Sequence, residues 1–256
     1  MKNSAFRALV ILIGLTLALS LFSASSAQRK PKSQTHQTPA AEGPCVLPEP
    51  PDAKTALKDL EAGNDRWQKS AMKERNWSEE RERTARCGQR PSAVVLACMD
   101  SRVPPELIFD RGLGELFVIR VAGPVLGPDQ LASLYYAVNK IHVNLVVVLG
   151  HTDCGAVEGA VTKATGTYLT ELLRKIEPAI DDVSEKYNRG VRIKLSDPKT
   201  PEEQKNLDRV SFVNAHLVQH DIRFRPAFRK PDVEVKWALY YLKSGKVAFD
   251  PTELEP

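Results

Sequence analysis

VNLVVVLGHTDCGAV, residues 143–157, decides how this chain folds. Its first half is an unbroken apolar run rich in valine, too short for a core helix and without polar alternation. Such a run suits a strand covered on both faces, as in a parallel sheet. The run stops at Gly150 and His151, and CGAVEGAV, residues 154–161, then reads as the start of a helix. In open α/β sheets ligands bind beyond the carboxyl ends of the strands. His151 and Cys154 therefore fall where a site forms.

Two more runs match this one. SAVVLAC, residues 92–98, and ELFVIRVAG, residues 115–123, are short, apolar and β-branched. Between the second and residue 143 lies GPDQLASLYYAVNKI. Pro128 suits a first helical turn, and Leu131, Leu134, Tyr135, Val138 and Ile141 form one apolar stripe. Strand, helix and strand make a βαβ unit. Leu57, Leu60 and Trp67 predict an N-terminal helix. Leu169, Leu172, Leu173, Ile176, Ile180 and Val183 predict one amphipathic helix, and Val210, Val213 and Leu217 another. Residues 185–206 are polar and read as a surface excursion. Residues 233–250 read as two strands around a Ser-Gly turn. The expected fold is α/β, with a mostly parallel central β-sheet flanked by helices and no internal repeat.

The chain has 256 residues, 42% of them hydrophobic and 27% charged, which suits one globular domain after a tail is removed. A net charge of +4 with scattered basic residues gives no nucleic-acid footprint. Lys2 and Arg7 precede an apolar run over residues 8–22, and Ser25 and Ala27 are small residues before Gln28. This pattern predicts a cleaved signal peptide over residues 1–27. The run is shorter than the ~20 residues a spanning helix needs, so no stable membrane anchor is expected after cleavage. Export, to the periplasm in a bacterium with two membranes, is expected. Residues 28–52 read as a Pro-rich linker and residues 53–256 as a single folded domain. An oxidising compartment permits disulfides. Cys45 and Cys87 are read either as a disulfide or as two free thiols.

The other two cysteines stand at strand ends. Cys98 follows the first run, and Cys154 lies three residues after His151. A lone buried cysteine is usually a small hydrophobe, and a lone histidine at a strand end is usually structural. Together, at two strand ends of one sheet, Cys98, His151 and Cys154 point to a metal site. Two thiolates and an imidazole suit zinc, and three protein ligands leave a fourth position open, as in catalytic sites. Soft sulfurs argue against magnesium or calcium. Asp100 and Arg102, two apart, can pair. Asp100 then has two possible places: it closes the metal site as a fourth ligand, or it is held by Arg102 and orients the attacking water.

CMDSRVPPELIFDRGLGELFVIRVAG, residues 98–123, and GHTDCGAV, residues 150–157, resemble the signatures of the β-class carbonic anhydrases: C-x-D-S-R and H-x-x-C-G in that order. LEAGNDRW, residues 60–67, and ALYYLKSGKV, residues 238–247, resemble the family's first helix and closing strand pair. The resemblance implies reversible hydration of carbon dioxide to bicarbonate and a proton, with one Zn2+ per subunit held by Cys98, His151 and Cys154. In carbonic anhydrases generally, zinc lowers the pKa of its bound water to about 7. The resemblance further implies that Asp100 and Arg102 are catalytic and that Asp100 is the fourth metal ligand of a closed state. It makes Gln89, Phe117 and Tyr136 substrate-binding residues, some of them contributed across a dimer interface. A homodimer or tetramer is implied. Tyr135, Pro124 and Tyr241 depart from the family's commoner Glu, Asn and Asp. Two alternatives stand beside this reading: hydrolysis of carbonyl sulfide or carbon disulfide on the same scaffold, and a catalytically silent zinc-binding interaction module.

Overall fold

A computed structural model describes residues 45, 47, 49–197 and 199–254. The predicted signal peptide, residues 1–27, and the linker up to residue 44 lie outside the described residues. The described residues belong to one compact unit that begins at Cys45.

The elements follow the order read from the sequence, with additions. Helix α1 is Ala53–Gln68, capped by the Asp52 side chain, which accepts from the Thr55 N–H. Helix α2 is Trp77–Cys87. Then come β1 (Ala93–Ala97), α3 (Pro105–Ile108), β2 (Leu116–Arg120), α4 (Pro128–Asn139) and β3 (Leu145–His151). After β3 follow α5 (Gly155–Val161), α6 (Leu169–Arg174), α7 (Glu177–Tyr187) and α8 (Pro201–Phe224). Strands β4 (Glu234–Tyr240) and β5 (Val247–Phe249) close the chain.

The sheet order is β2-β1-β3-β4-β5. The first four strands are mutually parallel and β5 is antiparallel to β4. Every residue of β1 and β3 is buried. Alternate residues feed opposite layers because side chains along a strand point to opposite faces. Val95 and Val147 pack with Leu60 of α1 and with Ile108 and Phe109. Val94, Leu96, Val146 and Val148 pack with Leu134 of α4 and with Ala215 and Ile222 of α8. A third apolar cluster sits beyond the strand ends, where Cys98 and Cys154 meet Val125, Val157, Ile176 and Val210.

Four expectations need correction. Strand β2 is not covered on both faces: it is the sheet's edge strand, and its residues are half-buried or exposed. The single helix expected through Leu169 and Val183 is two, α6 and α7, with Pro178 in the first turn of α7. Proline lacks the N–H that would continue the earlier helix. Helix α8 begins at Pro201, inside the stretch read as a surface excursion. Thr200 and Glu203 cap it reciprocally there, and the expected stripe residue Leu217 is exposed. Tyr135, expected on the buried stripe of α4, is also exposed. Helix α2, which the apolar pattern did not announce, buries none of its residues.

A disulfide joins Cys45 to Cys87 at the end of α2, with a Cα–Cα distance of 5.2 Å. Of the two readings left open for these cysteines, the paired one is found.

Candidate metal centre

Strands β1 and β3 are hydrogen-bonded neighbours in register Ala97↔Leu149, so the residues that follow them emerge side by side. Cys98 comes directly after β1, His151 is the last residue of β3, and Cys154 is the residue before α5. One ligand atom from each of the three lies within 4.8 Å of the other two, and all three side chains are buried. Gly150 lets α8 pack close to β3: a Cβ there would stand 3.0 Å from the Ser211 carbonyl oxygen of α8.

The donors suit a soft dication. His151 Nδ1 lies 2.9 Å from the Thr152 carbonyl oxygen. A carbonyl only accepts, so Nδ1 carries the proton and Nε2 presents its lone pair. Nε2 is buried with no hydrogen-bond partner. A buried unsatisfied acceptor is costly, and a metal relieves that cost. The Cys98 and Cys154 sulfurs are 3.9 Å apart. The hydrogen bond from Cys154 draws Cys98 down to about 4, against burial and with help from His151 and the Gly123 N–H. The same hydrogen bond, with burial, pushes Cys154 up. The pair thus keeps one proton between two sulfurs. A dication beside them would release it and bind two thiolates.

The surrounding chain holds this arrangement. The Gly123 N–H points at Cys98 Sγ from 3.4 Å, and its carbonyl accepts from Asn214 Nδ2 of α8 at 2.8 Å. Gly123 has φ +70°, and a Cβ there would come within 2.7 Å of Ile176 Cδ1. Arg120, the last residue of β2, donates from Nε to the Cys98 carbonyl at 3.1 Å and from Nη2 to the Asp100 carbonyl. The backbone carrying Cys98 and Asp100 is therefore pinned from the neighbouring strand.

Asp100 stands outside the three-residue cluster. Arg102 holds both its oxygens: Nε to Oδ1 at 3.0 Å and Nη2 to Oδ2 at 2.8 Å, with the Arg102 N–H also on Oδ1 at 2.9 Å. These hydrogen bonds bring its carboxyl down to about 2. Arg102 also reaches the turn between the other two ligands. Its Nη1 lies 2.9 Å from Asp153 Oδ2, and its Nη2 donates to the Asp153 carbonyl at 3.0 Å. The Asp153 N–H in turn donates to Asp208 Oδ1 of α8 at 2.7 Å. Burial pushes the Asp208 carboxyl up, and its hydrogen bonds from Asp153 and Gln204 act the other way.

The remaining expected residues lie elsewhere in this chain. Gln89 precedes β1, at the opposite end of that strand from Cys98, beside Leu47, Thr84 and Gly114. Phe117 and Tyr136 do come together. They line a groove of about 430 Å³ between β2 and α4, with Val94, Ile119 and Ala132, along the open edge of the sheet. Phe117 pairs in register with Val94 near the start of β1, not with the residues that lead to Cys98. Arg120, Gly123, Asp153 and Asp208 were missed from sequence. Arg120 left one trace, a charged residue closing an apolar run.

Comparison with known proteins agrees with this geometry. The sequence pattern of the carbonic anhydrase family matches residues 93–247. The chain belongs to the carbonic anhydrase family. Carbonic anhydrase 2 of Mycobacterium tuberculosis is 38% identical over 130 residues, 49% of this chain and 63% of the relative. A carbonic anhydrase of Pseudomonas aeruginosa is 53% identical over 74 residues, 27% of this chain and 34% of the relative. The chain thus spans less than two thirds of the length of these curated relatives. Among solved structures, a pair of tetrameric β-carbonic anhydrases from Sordaria macrospora gives a TM-score of 0.58 at 20% identity, covering 77% of this chain and 94% of that one. A β-carbonic anhydrase of Aspergillus fumigatus gives 0.58 at 23%, covering 79% and 92%. The fold of this carbonic anhydrase family member is that of the β class. Tyr135, Pro124 and Tyr241, where the chain departs from the commoner pattern, are not among its ligand atoms.

Proposed function

We propose that this protein catalyses the reversible hydration of carbon dioxide to bicarbonate and a proton, using zinc held by Cys98, His151 and Cys154. One observation carries the reading: a buried two-sulfur, one-imidazole donor set stands beside a carboxylate fixed by its own arginine. A purely structural zinc site has no use for the Asp100–Arg102 pair.

When bound, zinc lowers the pKa of its water, so that a nucleophile exists near neutral pH. The chain supplies the rest. Asp100, with its carboxyl at about 2, is ionised throughout the working range and can only accept hydrogen bonds. Oδ1 takes two hydrogen bonds from Arg102, whereas Oδ2 takes one and keeps a second acceptor site. Asp100 therefore accepts the O–H of the attacking oxygen and turns its free lone pair toward the carbon. It discriminates against an oxygen with no proton to offer. Val125 and Val157 border the cysteines and keep the surroundings apolar, which suits a nonpolar substrate. In its alternative position, as a fourth ligand, Asp100 would close the site.

Substrate contact by Gln89, Phe117 and Tyr136 belongs to the same reading, with a second copy bringing some of them to the metal. The edge strand β2 and the exposed Tyr135 and Tyr136 support a homodimer or a tetramer. Export to an oxidising compartment, the periplasm in a bacterium with two membranes, is likewise part of the proposal. The basic, apolar and small-residue pattern of residues 1–27 and the Cys45–Cys87 disulfide support it. Among the described residues no helix is long and apolar enough to cross a membrane.

Stopped-flow hydration with metal content measured on the same sample tests the activity. A zinc-loaded protein with no rate above buffer at any pH up to about 9, where zinc-bound water is ionised, would sink it. Sulfide release from carbonyl sulfide, assayed on that sample, separates the related hydrolase.

A further inference from the structure

We propose that Asp153 is a positioning residue that holds Arg102 so that Asp100 stays on Arg102 and off the metal. The proposal rests on the hydratase reading above, and it concerns which of the two places Asp100 takes.

Arg102 and Asp100 lie on one loop, and the Arg102 side chain is 50% exposed. An exposed arginine paired to a neighbour on its own loop is free to follow that neighbour. It then offers little resistance when the carboxylate swings toward the metal, since exposed ion pairs contribute weakly. Here the guanidinium is not free. Nε and Nη2 serve Asp100, Nη1 serves Asp153 Oδ2 at 2.9 Å, and Nη2 also serves the Asp153 carbonyl at 3.0 Å. All three nitrogens are committed, and the planar fork has one orientation that satisfies both partners.

The second partner is itself anchored. Asp153 sits between His151 and Cys154, on the turn that carries two of the three ligands. Its own carboxylate does not belong to the ligand cluster. Its backbone is left-handed, φ +55°, a conformation that aspartate and asparagine tolerate better than most residues. Its N–H is held at 2.7 Å by Asp208, which Gln204 Nε2 also contacts at 3.1 Å. The order of support therefore runs from α8 through Asp208 and Asp153 to Arg102 and Asp100. On the other side, Arg120 fixes the Asp100 carbonyl. With the loop backbone and the guanidinium both fixed, the switch reduces to rotation of the Asp100 side chain away from a partner that cannot follow it.

Asp153→Asn keeps the size and the backbone preference and removes the charge. The test compares cobalt-loaded wild type, D153N, D153E, D100N and D100N/D153N at one pH, because the visible spectrum of cobalt reports the fourth ligand. R102A, in which Asp100 has lost its partner altogether, gives the reference for carboxylate on the metal. The D153N spectrum is expected to move toward the R102A spectrum. Hydration per loaded metal is expected to fall about three- to fivefold, the scale one exposed charge pair supplies. D153E should restore both in part, and D100N/D153N should match D100N alone. A D153N spectrum identical to wild type, or a D153N effect that persists in the D100N background, overturns the proposal. If loaded wild type hydrates nothing, the proposed activity fails instead, and the spectra still decide the place of Asp153.

Discussion

His151 gives its Nδ1 proton to the carbonyl of Thr152, the next residue, and so turns its bare Nε2 toward two cysteine sulfurs. One short hydrogen bond within the turn selects the tautomer that a metal needs. Replacing the ring should leave the two sulfurs unable to hold the ion. His151→Ala is expected to weaken zinc binding by more than about a hundredfold, beyond the range typical of losing an outer-shell partner. Competition with a chromogenic chelator measures it. Zinc retained at wild-type affinity would show that the imidazole is not a ligand.

Asp100→Asn separates holding the metal from using it. The amide offers Arg102 one acceptor oxygen in place of two and presents an N–H where an acceptor is needed. Zinc content should stay at one per chain while the hydration rate falls about a hundredfold or more, the usual scale for a lost catalytic hydrogen-bond partner. Stopped-flow rates normalised to bound zinc provide the comparison.

The Cys45–Cys87 disulfide closes a loop with a sequence separation of 42. The chain-entropy relation for a loop of that length places its contribution at about 4 kcal/mol. Cys87→Ser, or mild reduction that leaves the buried thiols intact, should lower the urea midpoint accordingly. An unchanged midpoint would mean that the reduced chain keeps the same loop closed by other contacts.

Glu203 offers a pH signature away from the metal. Hydrogen bonds from Ser196, then from the Thr200 backbone, hold its carboxyl at about 2, below its ordinary value of 4.5. The unfolded chain therefore binds the extra proton first. The stabilisation is complete above about pH 4.5 and is lost as pH falls toward 2. In urea titrations across that window, the gap between wild type and Glu203→Gln should narrow as pH falls. A constant gap would place the contribution of Glu203 in its shape, not its charge.

What the sequence disclosed follows from where information is local. Strands β1 and β3 were legible because both are buried on both faces, and such strands read as unbroken apolar runs. Strand β2 looked the same in one dimension, and only the sheet order reveals it as an edge. Helix α8 was half hidden because its buried face includes Asn206, Ser211, Asn214 and Gln219, which dilute the apolar period. Helix α2 buries nothing. The Asn76 cap, the Arg75–Glu80 ion pair beside it and the disulfide hold it, and none of these has a period to detect. The candidate donor set was legible because Cys98 and His151 stand at strand ends and Cys154 follows in the next turn. Arg120, Asp153 and Asp208 act between segments far apart in the chain, through contacts that exist only once the sheet has formed.

The pairing Ala97↔Leu149 has a consequence beyond architecture. A slip of one residue between β1 and β3 would move the strands by about 3.3 Å and turn each side chain to the opposite face. Cys98 would then leave Cys154 and His151. The three donors converge only in the correct alignment, so an ion bound by them would act as a checksum on the sheet. A molecule that bound such an ion would have read out its strand pairing without error.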